Sequence, residues 1–348
     1  MGIVLDSAPR DDHSDQSPMS THTPAVSVIM TVHNEEDHLL DALRSIGAQT
    51  FTDFEVVVWD DGSTDRTPEL LQSFAAKDDR VRVLSSVRNR GPVVGRNFAI
   101  DVSRAAWLAI CDADDVWLPQ KLERQMAVLQ HHSSSADADG LVALGSSGHH
   151  INAEGRVRGF FDVGLHDEAA YDNARASSDV FYLLNSSAIF RRDVFQLVGG
   201  YREDYFPGED VDLWTRMAEH GLILNLEEPL VHYRVHGHSV SDHKMIKGLL
   251  NTQRVKANAR RRHLELPELS HLEFLDVLRS HPTVYRRLLR SWMAQSLYRS
   301  AGGALANGRY LAGAAAMLRA LVMDVWVPFE RAQRQVFRHE TMAQLLRP

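Results

Sequence analysis

Four apolar runs constrain the fold more than any other feature of the chain. They are VSVIMTV (26–32), FEVVVWD (54–60), RVRVL (80–84) and AWLAICD (106–112), with helical patterns between them. Strands that are apolar throughout need cover on both faces. Their alternation with helices therefore predicts an α/β fold, a Rossmann-like, mostly parallel sheet flanked by helices. Asn34 is the expected N-cap of the first helix, with Leu39, Leu43 and Ile46 on one face, and Thr67-Pro68 starts the second. Ligands on such sheets bind beyond the carboxyl ends of the strands. At those ends the chain places His33-Asn34-Glu35, Asp60-Asp61 and Asp112 to Asp115, so three polar or acidic clusters share one rim.

The last cluster sits in AICDADDVWLP. Carboxylates one residue apart at the end of a buried strand are costly unless a cation sits beside them. A hard divalent ion carrying a diphosphate meets that demand. A solvated turn with a helix cap is the plain alternative. The apolar strand before it and the Asp pair after strand two favour the metal–phosphate reading. Asp60-Asp61-Gly62-Ser63 offers a carboxylate to a nucleobase imide or a ribose hydroxyl, with an Asx-turn as the alternative. In Arg90-Gly91-Pro92-Val93-Val94-Gly95-Arg96-Asn97, Arg96 could grip a diphosphate bidentately. A surface arginine on a helix explains that segment almost as well. Gly208-Glu209-Asp210-Val211-Asp212-Leu213-Trp214 puts three carboxylates near a helix start. The helix dipole alone favours them there; the functional reading is a catalytic base for a hydroxyl nucleophile. Among His232, His236, His238 and His243, His236 is the favoured functional histidine, completing a metal shell or touching the diphosphate.

With 348 residues the chain is long enough for one large core or two domains. A net charge of −8 argues against a general nucleic-acid binder. Cys111 is the sole cysteine, so neither an intrachain disulfide nor a thiolate metal cluster can form. Residues 1–24 are polar and acidic, without the basic and apolar regions of a secretory signal, and read as a disordered tail. No apolar run is long enough to span a bilayer. The nearest candidate, Tyr310 to Phe329, carries Arg319 and Asp324, so a cytoplasmic location is expected. After about residue 245 Leu, Ala, Arg and Glu dominate, with helical spacing. Arg260-Arg261-Arg262 and Arg286-Arg287-Arg290 lie in that part. Solvated helix faces are the favoured reading, and peripheral contact with an anionic membrane surface is the sharper one.

Taken together, VSVIMTVHNEEDHLLDALRSIGAQTFTDFEVVVWDDGSTDRT, NRGPVVGRNFAI and CDADDVWLPQKLERQ resemble the inverting glycosyltransferases of family 2, which have a GT-A fold. The resemblance covers roughly residues 26 to 243. It implies a GT-A domain over 25–243, with a nucleotide-binding half at 25–130 and an acceptor half at 131–243. A helical C-terminal extension over 244–348 lies outside it. By the same resemblance Thr31, His33 and Glu35 meet the nucleotide, Asp61 holds the nucleobase with Asp60 adjacent, and Arg96 sits at the donor phosphate. Asp112 and Asp114 form the DXD pair, with Asp114 the closer metal ligand, and His236 closes over the diphosphate. Asp210 stands at the base position, with Glu209, Gly200 and Trp214 on the acceptor side. His33 departs from the family, where an aromatic Tyr is common. The implied cofactor is Mg²⁺ or Mn²⁺. The implied substrates are a nucleoside diphosphate sugar, of the UDP type, and a glycan or lipid-linked acceptor in cell-surface polysaccharide assembly. A nucleotidyltransferase would want a basic glycine-rich loop after the first strand, where HNEED stands instead. An inactive glycan- or lipid-binding scaffold would lack the DXD pair or the base.

Overall fold

The computed structural model describes residues 22–133, 140–235, 245–306 and 309–324. The first four strands, β1 (Val26–Val32), β2 (Phe54–Asp60), β3 (Val81–Ser85) and β4 (Trp107–Ile110), pair in parallel in the order β3-β2-β1-β4. Every residue of β2 is buried, and all but Thr31 in β1, as the apolar runs require. The helices α1 (Leu39–Gly47) and α2 (Thr67–Ala75) connect β1 to β2 and β2 to β3. The next helix, α3 (Pro92–Val102), carries the chain back past both to β4. The strand order therefore reverses between β1 and β4, and the crevice at their carboxyl ends is the natural ligand site.

The second half departs from the expectation of a mostly parallel sheet. It contains β5 (Val116–Trp117), α4 (Lys121–Ser133), β6 (Leu141–Ile151), β7 (Val157–Phe161), α5 (Glu168–Ala176), β8 (Ile189–Arg191), α6 (Arg192–Leu197), α7 (Glu209–Met217) and β9 (Leu222–Arg234). The sheet continues β4-β8-β6-β9-β5, with β7 on the outer side of β6. Only β6 and β9 pair in parallel here; β4–β8, β6–β8, β5–β9 and β6–β7 are antiparallel. The sheet is thus mixed. Short strands entered from turns can run against their neighbours, and apolar periodicity carries no information on direction.

Asn34 does not cap α1. The helix starts five residues later, and Asn34 takes a left-handed backbone (φ 52°). Its side chain accepts from the Thr64 N–H at 2.8 Å, while Ser63 Oγ accepts from the Asn34 N–H at 2.9 Å. Glu36 and Asp65 make similar contacts, so the loops after β1 and β2 are laced together.

Four further helices follow: α8 (Met245–His263), α9 (His271–Ser280), α10 (Pro282–Ala306) and α11 (Tyr310–Met323). No described helix is long and apolar enough to cross a membrane. Although it lies beyond the segment that resembles the family, α8 packs on α7 and on the loop before it. Asn251 donates to the carbonyls of Tyr205 (2.7 Å) and Pro207 (3.0 Å), Asn258 to the Tyr205 hydroxyl (2.9 Å), and Arg254 pairs with Asp204. Residues 1–21 of the N-terminal tail, together with His236, His238 and His243, lie outside the described residues.

Close approach of α3 to the sheet depends on Gly95. A Cβ there would stand 2.4 Å from Trp59 Cδ1 and 3.1 Å from Thr31 Cγ2. Gly95→Ala is predicted to cost about 1–3 kcal/mol through overpacking. A lower denaturant midpoint at unchanged m-value is the expected result, and an unaltered midpoint would show that Trp59 yields freely.

Candidate active site

The β4 strand delivers Cys111 to Asp115 into the crevice between β1 and β8. The Cys111 N–H donates to the Ile29 carbonyl at 3.0 Å, which fixes the last strand register before the acidic turn. Beyond it the four residues divide. Asp115 is fully buried and accepts from the Arg234 N–H at 2.8 Å. Arg234, itself buried, donates from Nε to the Asp114 carbonyl at 2.7 Å and from Nη1 to the Ala153 carbonyl at 2.7 Å. Asp115 therefore anchors the turn, and burial pushes its carboxyl well above the usual range. Asp112 and Asp114 remain half-exposed on the crevice side.

Arg96, near the start of α3, is buried beneath them. Its Nη2 donates to Asp112 Oδ1 at 3.0 Å and its Nη1 to Glu209 Oε1 at 2.7 Å. The guanidinium, expected beside the donor phosphate, meets two carboxylates, one at the end of β4 and one at the start of α7. A cation is needed there because α7 brings the Glu209 carboxylate into the interior. Burial raises the Asp112 carboxyl above the ordinary range, the charge of Arg96 opposes that rise, and Asp114 adds to it.

Asp210 follows Glu209 on α7. Its carboxyl is pushed up to about 7, first by burial and then by the neighbouring negative charge of Glu209. A carboxylate poised near neutrality beside a crevice suits proton abstraction. The acceptor-side assignments fare differently. Trp214 is fully buried and packs edge-on against Phe190, with ring centroids 5.2 Å apart, so it cannot meet an acceptor. Gly200 is buried too, its carbonyl accepting from Arg216 Nη2 at 2.8 Å. Glu209 is occupied by Arg96. Tyr182, which sequence reasoning missed, is 44% exposed, and burial, Asp179 and Asp210 together raise its hydroxyl to about 12. Its environment comes from an irregular segment with no periodic signal.

On the nucleotide side, Thr31 is half-buried at the end of β1 and His33 is exposed. Glu35 contacts His38 Nδ1 at 2.6 Å. Asp60 accepts from the Ser63 N–H at 3.0 Å. Asp61 accepts from Trp59 Nε1 at 3.1 Å, from the Arg90 N–H at 2.9 Å and from the Gly91 N–H at 2.7 Å. It thereby holds the β3–α3 loop in place. The Arg90 N–H also reaches the second Asp61 oxygen at 3.0 Å, so the roughly four lone-pair directions of this buried carboxylate are all engaged.

The residues present fit a hard divalent ion. Asp112 and Asp114 offer oxygen ligands in a place where burial makes uncompensated negative charge costly. Among the described residues no three His, Cys, Asp or Glu side chains converge as a metal cage. His232, by contrast, lies on β9 against His149, with ring centroids 5.7 Å apart and its neighbours Val116 and Arg234 belonging to a separate cavity of about 390 Å³.

Removing Arg96 would leave Asp112 and Glu209 buried without their cation. Arg96→Met is predicted to destabilise the fold by roughly 3–5 kcal/mol at neutral pH. The deficit should shrink as pH falls. Buried carboxylates that have lost a cation have raised folded-state pKa values, so protonation relieves them. Urea denaturation at two pH values measures both effects, and a deficit that grew in acid would contradict the ion-pair account.

Comparison with known proteins bears on the family and the fold. A family model described as "Glycosyl transferase family 2" matches residues 27–199. The putative teichuronic acid biosynthesis glycosyltransferase TuaG of Bacillus subtilis is 26% identical over 229 residues, covering 65% of this chain and 85% of its own. Among solved structures, S. aureus TarS 1–349 in complex with UDP-GlcNAc aligns with a TM-score of 0.53 at 18% identity, over 84% of this chain and 90% of its own. The mannosyltransferase PcManGT from Pyrobaculum calidifontis, in complex with GDP-Man and Mn²⁺, gives 0.53 at 20% identity over 88% of each chain. At such identities the structural likeness shows the fold.

Proposed function

Because the chain belongs to glycosyltransferase family 2, we propose that it moves a sugar from a UDP-sugar to an acceptor hydroxyl with inversion at the anomeric carbon. The acceptor is a glycan or glycolipid, and the setting is cell-surface polysaccharide assembly. The relative TuaG, named for teichuronic acid biosynthesis, supports the setting. TarS with UDP-GlcNAc and PcManGT with GDP-Man support a nucleotide-sugar donor. A cytoplasmic location, at or near the inner face of the membrane, belongs to the same proposal.

One observation carries the mechanism: Asp210 and Asp112 approach the same buried guanidinium, Asp112 directly and Asp210 through its neighbour Glu209. The proposed base and the donor turn thus share one fixed frame. In that frame Asp61 and the loop it orders seat the nucleoside, and Thr31, His33 and Asp60 border it. Asp210 takes the proton from the acceptor hydroxyl as its oxygen bonds to the anomeric carbon and the bond to the diphosphate breaks. A Mg²⁺ or Mn²⁺ ion held by Asp112 and Asp114 would supply Lewis-acid neutralisation of the leaving diphosphate. A single base beside the crevice suits one displacement with inversion; retention in hydrolases relies on two close carboxylates.

Incubation with a panel of UDP- and GDP-sugars, a divalent ion and mixed glycan acceptors should release nucleoside diphosphate. No release from any donor would overturn the proposal. Asp210→Asn should lower turnover by roughly 10²–10⁴-fold while nucleotide binding persists. Because the base must be ionised, the wild-type rate should climb as pH rises through about 7. A rate that fell over that range would remove Asp210 from the role.

A further inference from the structure

The helical hairpin α10–α11 has a charge and surface pattern unlike the rest of the protein. The chain carries a net charge of −8, yet residues 281–323 contain Arg286, Arg287, Arg290, Arg299, Arg309 and Arg319 and no Asp, Glu or Lys. Arg286, Arg287 and Arg290 are exposed. Arg290 also donates to the Met323 carbonyl at 3.2 Å, closing the carboxyl end of α11 against α10. This run differs from Arg260-Arg261-Arg262, where Arg262 pairs with Glu219 and Glu268 and serves the packing of α8.

Only one side of α11 is used for packing. Gly313 and Ala320 are buried, and a Cβ at Gly313 would meet Leu305 Cγ at 2.6 Å, so this side lies tight against α10. At 100° per residue, Leu311, Ala315, Leu318 and Val322 fall on the opposite side. Leu311 is 90% exposed, Leu318 63% and Val322 74%. An apolar stripe therefore faces outward, on the side of α11 turned away from α10.

Three occupants could cover such a stripe, and charge separates them. A second copy in a two-fold interface would set the same patch against itself, bringing the arginines of the two copies together. A nucleic acid would meet the arginines and leave the leucines wet. An anionic bilayer surface satisfies both features, because leucines enter the headgroup–acyl boundary while arginines stay at the phosphates. With 14 residues α11 is about 21 Å long, too short to span a hydrocarbon core of about 30 Å and suited to lying along it.

We propose that the α10–α11 hairpin docks this protein onto an anionic lipid surface, with Leu311, Leu318 and Val322 inserted and Arg286 and Arg287 at the headgroups. The test is flotation of the full chain with vesicles of phosphatidylcholine alone and of phosphatidylcholine containing about 30% phosphatidylglycerol. Binding is expected to the anionic vesicles alone and to weaken with salt. Arg286→Glu with Arg287→Glu should lower it at least about tenfold, and Leu311→Ser with Leu318→Ser and Val322→Ser should abolish it. All five positions are exposed, and circular dichroism checks that the fold persists. Failure to float, or equal binding to neutral vesicles, would overturn the proposal. So would a dimer that the serine variant dissociates without any vesicle binding. Flotation needs no sugar transfer, so its result is separate from that of the proposed activity.

Discussion

The buried guanidinium of Arg96 is the constraint on which the site depends. It lies where the strand order of the sheet reverses, and it joins a carboxylate from the end of β4 to one from the start of α7. A charge in that position is tolerable only because both partners are fixed by their own elements. Asp112 is held by the strand register, with its N–H donating to Ser186 Oγ at 3.2 Å. Glu209 is held by the helix and by its own contact with the Gly208 N–H at 3.0 Å. The two halves of the domain thereby share one electrostatic centre, and the crevice between them has a defined width before any ligand arrives.

Around that centre, order is imposed by side chains that face inward from loops. Asp61 gathers the indole of Trp59 and two backbone amides of the β3–α3 loop. Arg234 does the converse, giving its donors to carbonyls of the acidic turn and of the β6–β7 hairpin. Lys121 is fully buried, its ammonium 3.8 Å from the centre of the Trp117 ring and 2.8 Å from Gln125 Oε1. Burial lowers it to about 7. Of these residues it is Arg234 that fixes where the acidic turn stands.

Much of this was legible in the amino-acid order. The four parallel strands announce themselves because each is a continuous apolar run. The acidic turn is visible because its cost is local: several carboxylates directly after a buried strand. Asp210 could be singled out from its neighbours Glu209 and Asp212 by resemblance, though the helix-dipole explanation competes. What stayed hidden depends on distant partners. Nothing near Arg96 reveals that Glu209 will be its counter-ion 113 residues later. Trp214 looked available because it follows the base on α7, yet the helix turns it into the core. The antiparallel pairs of the second half are set by tertiary pairing, so strand direction could not be read from composition. Arg286 and Arg287 differ from Arg262 only in whether acidic partners reach them, which the fold decides.

The loop that presents Asp210 is anchored from behind by α8, through Asn251 and Asn258. The family match ends at residue 199, before Asp210, and the anchoring helix begins at Met245. A fragment trimmed to the matched span would lose Glu209 and Arg234, and with them the partners that hold Arg96 and the acidic turn. One trimmed just before α8 would keep Asp210 but leave the carbonyls of Tyr205 and Pro207 without the donors that fix its approach. The smallest unit that keeps this packing is therefore larger than the motif region, and its far edge is the surface where α8 rests on α7.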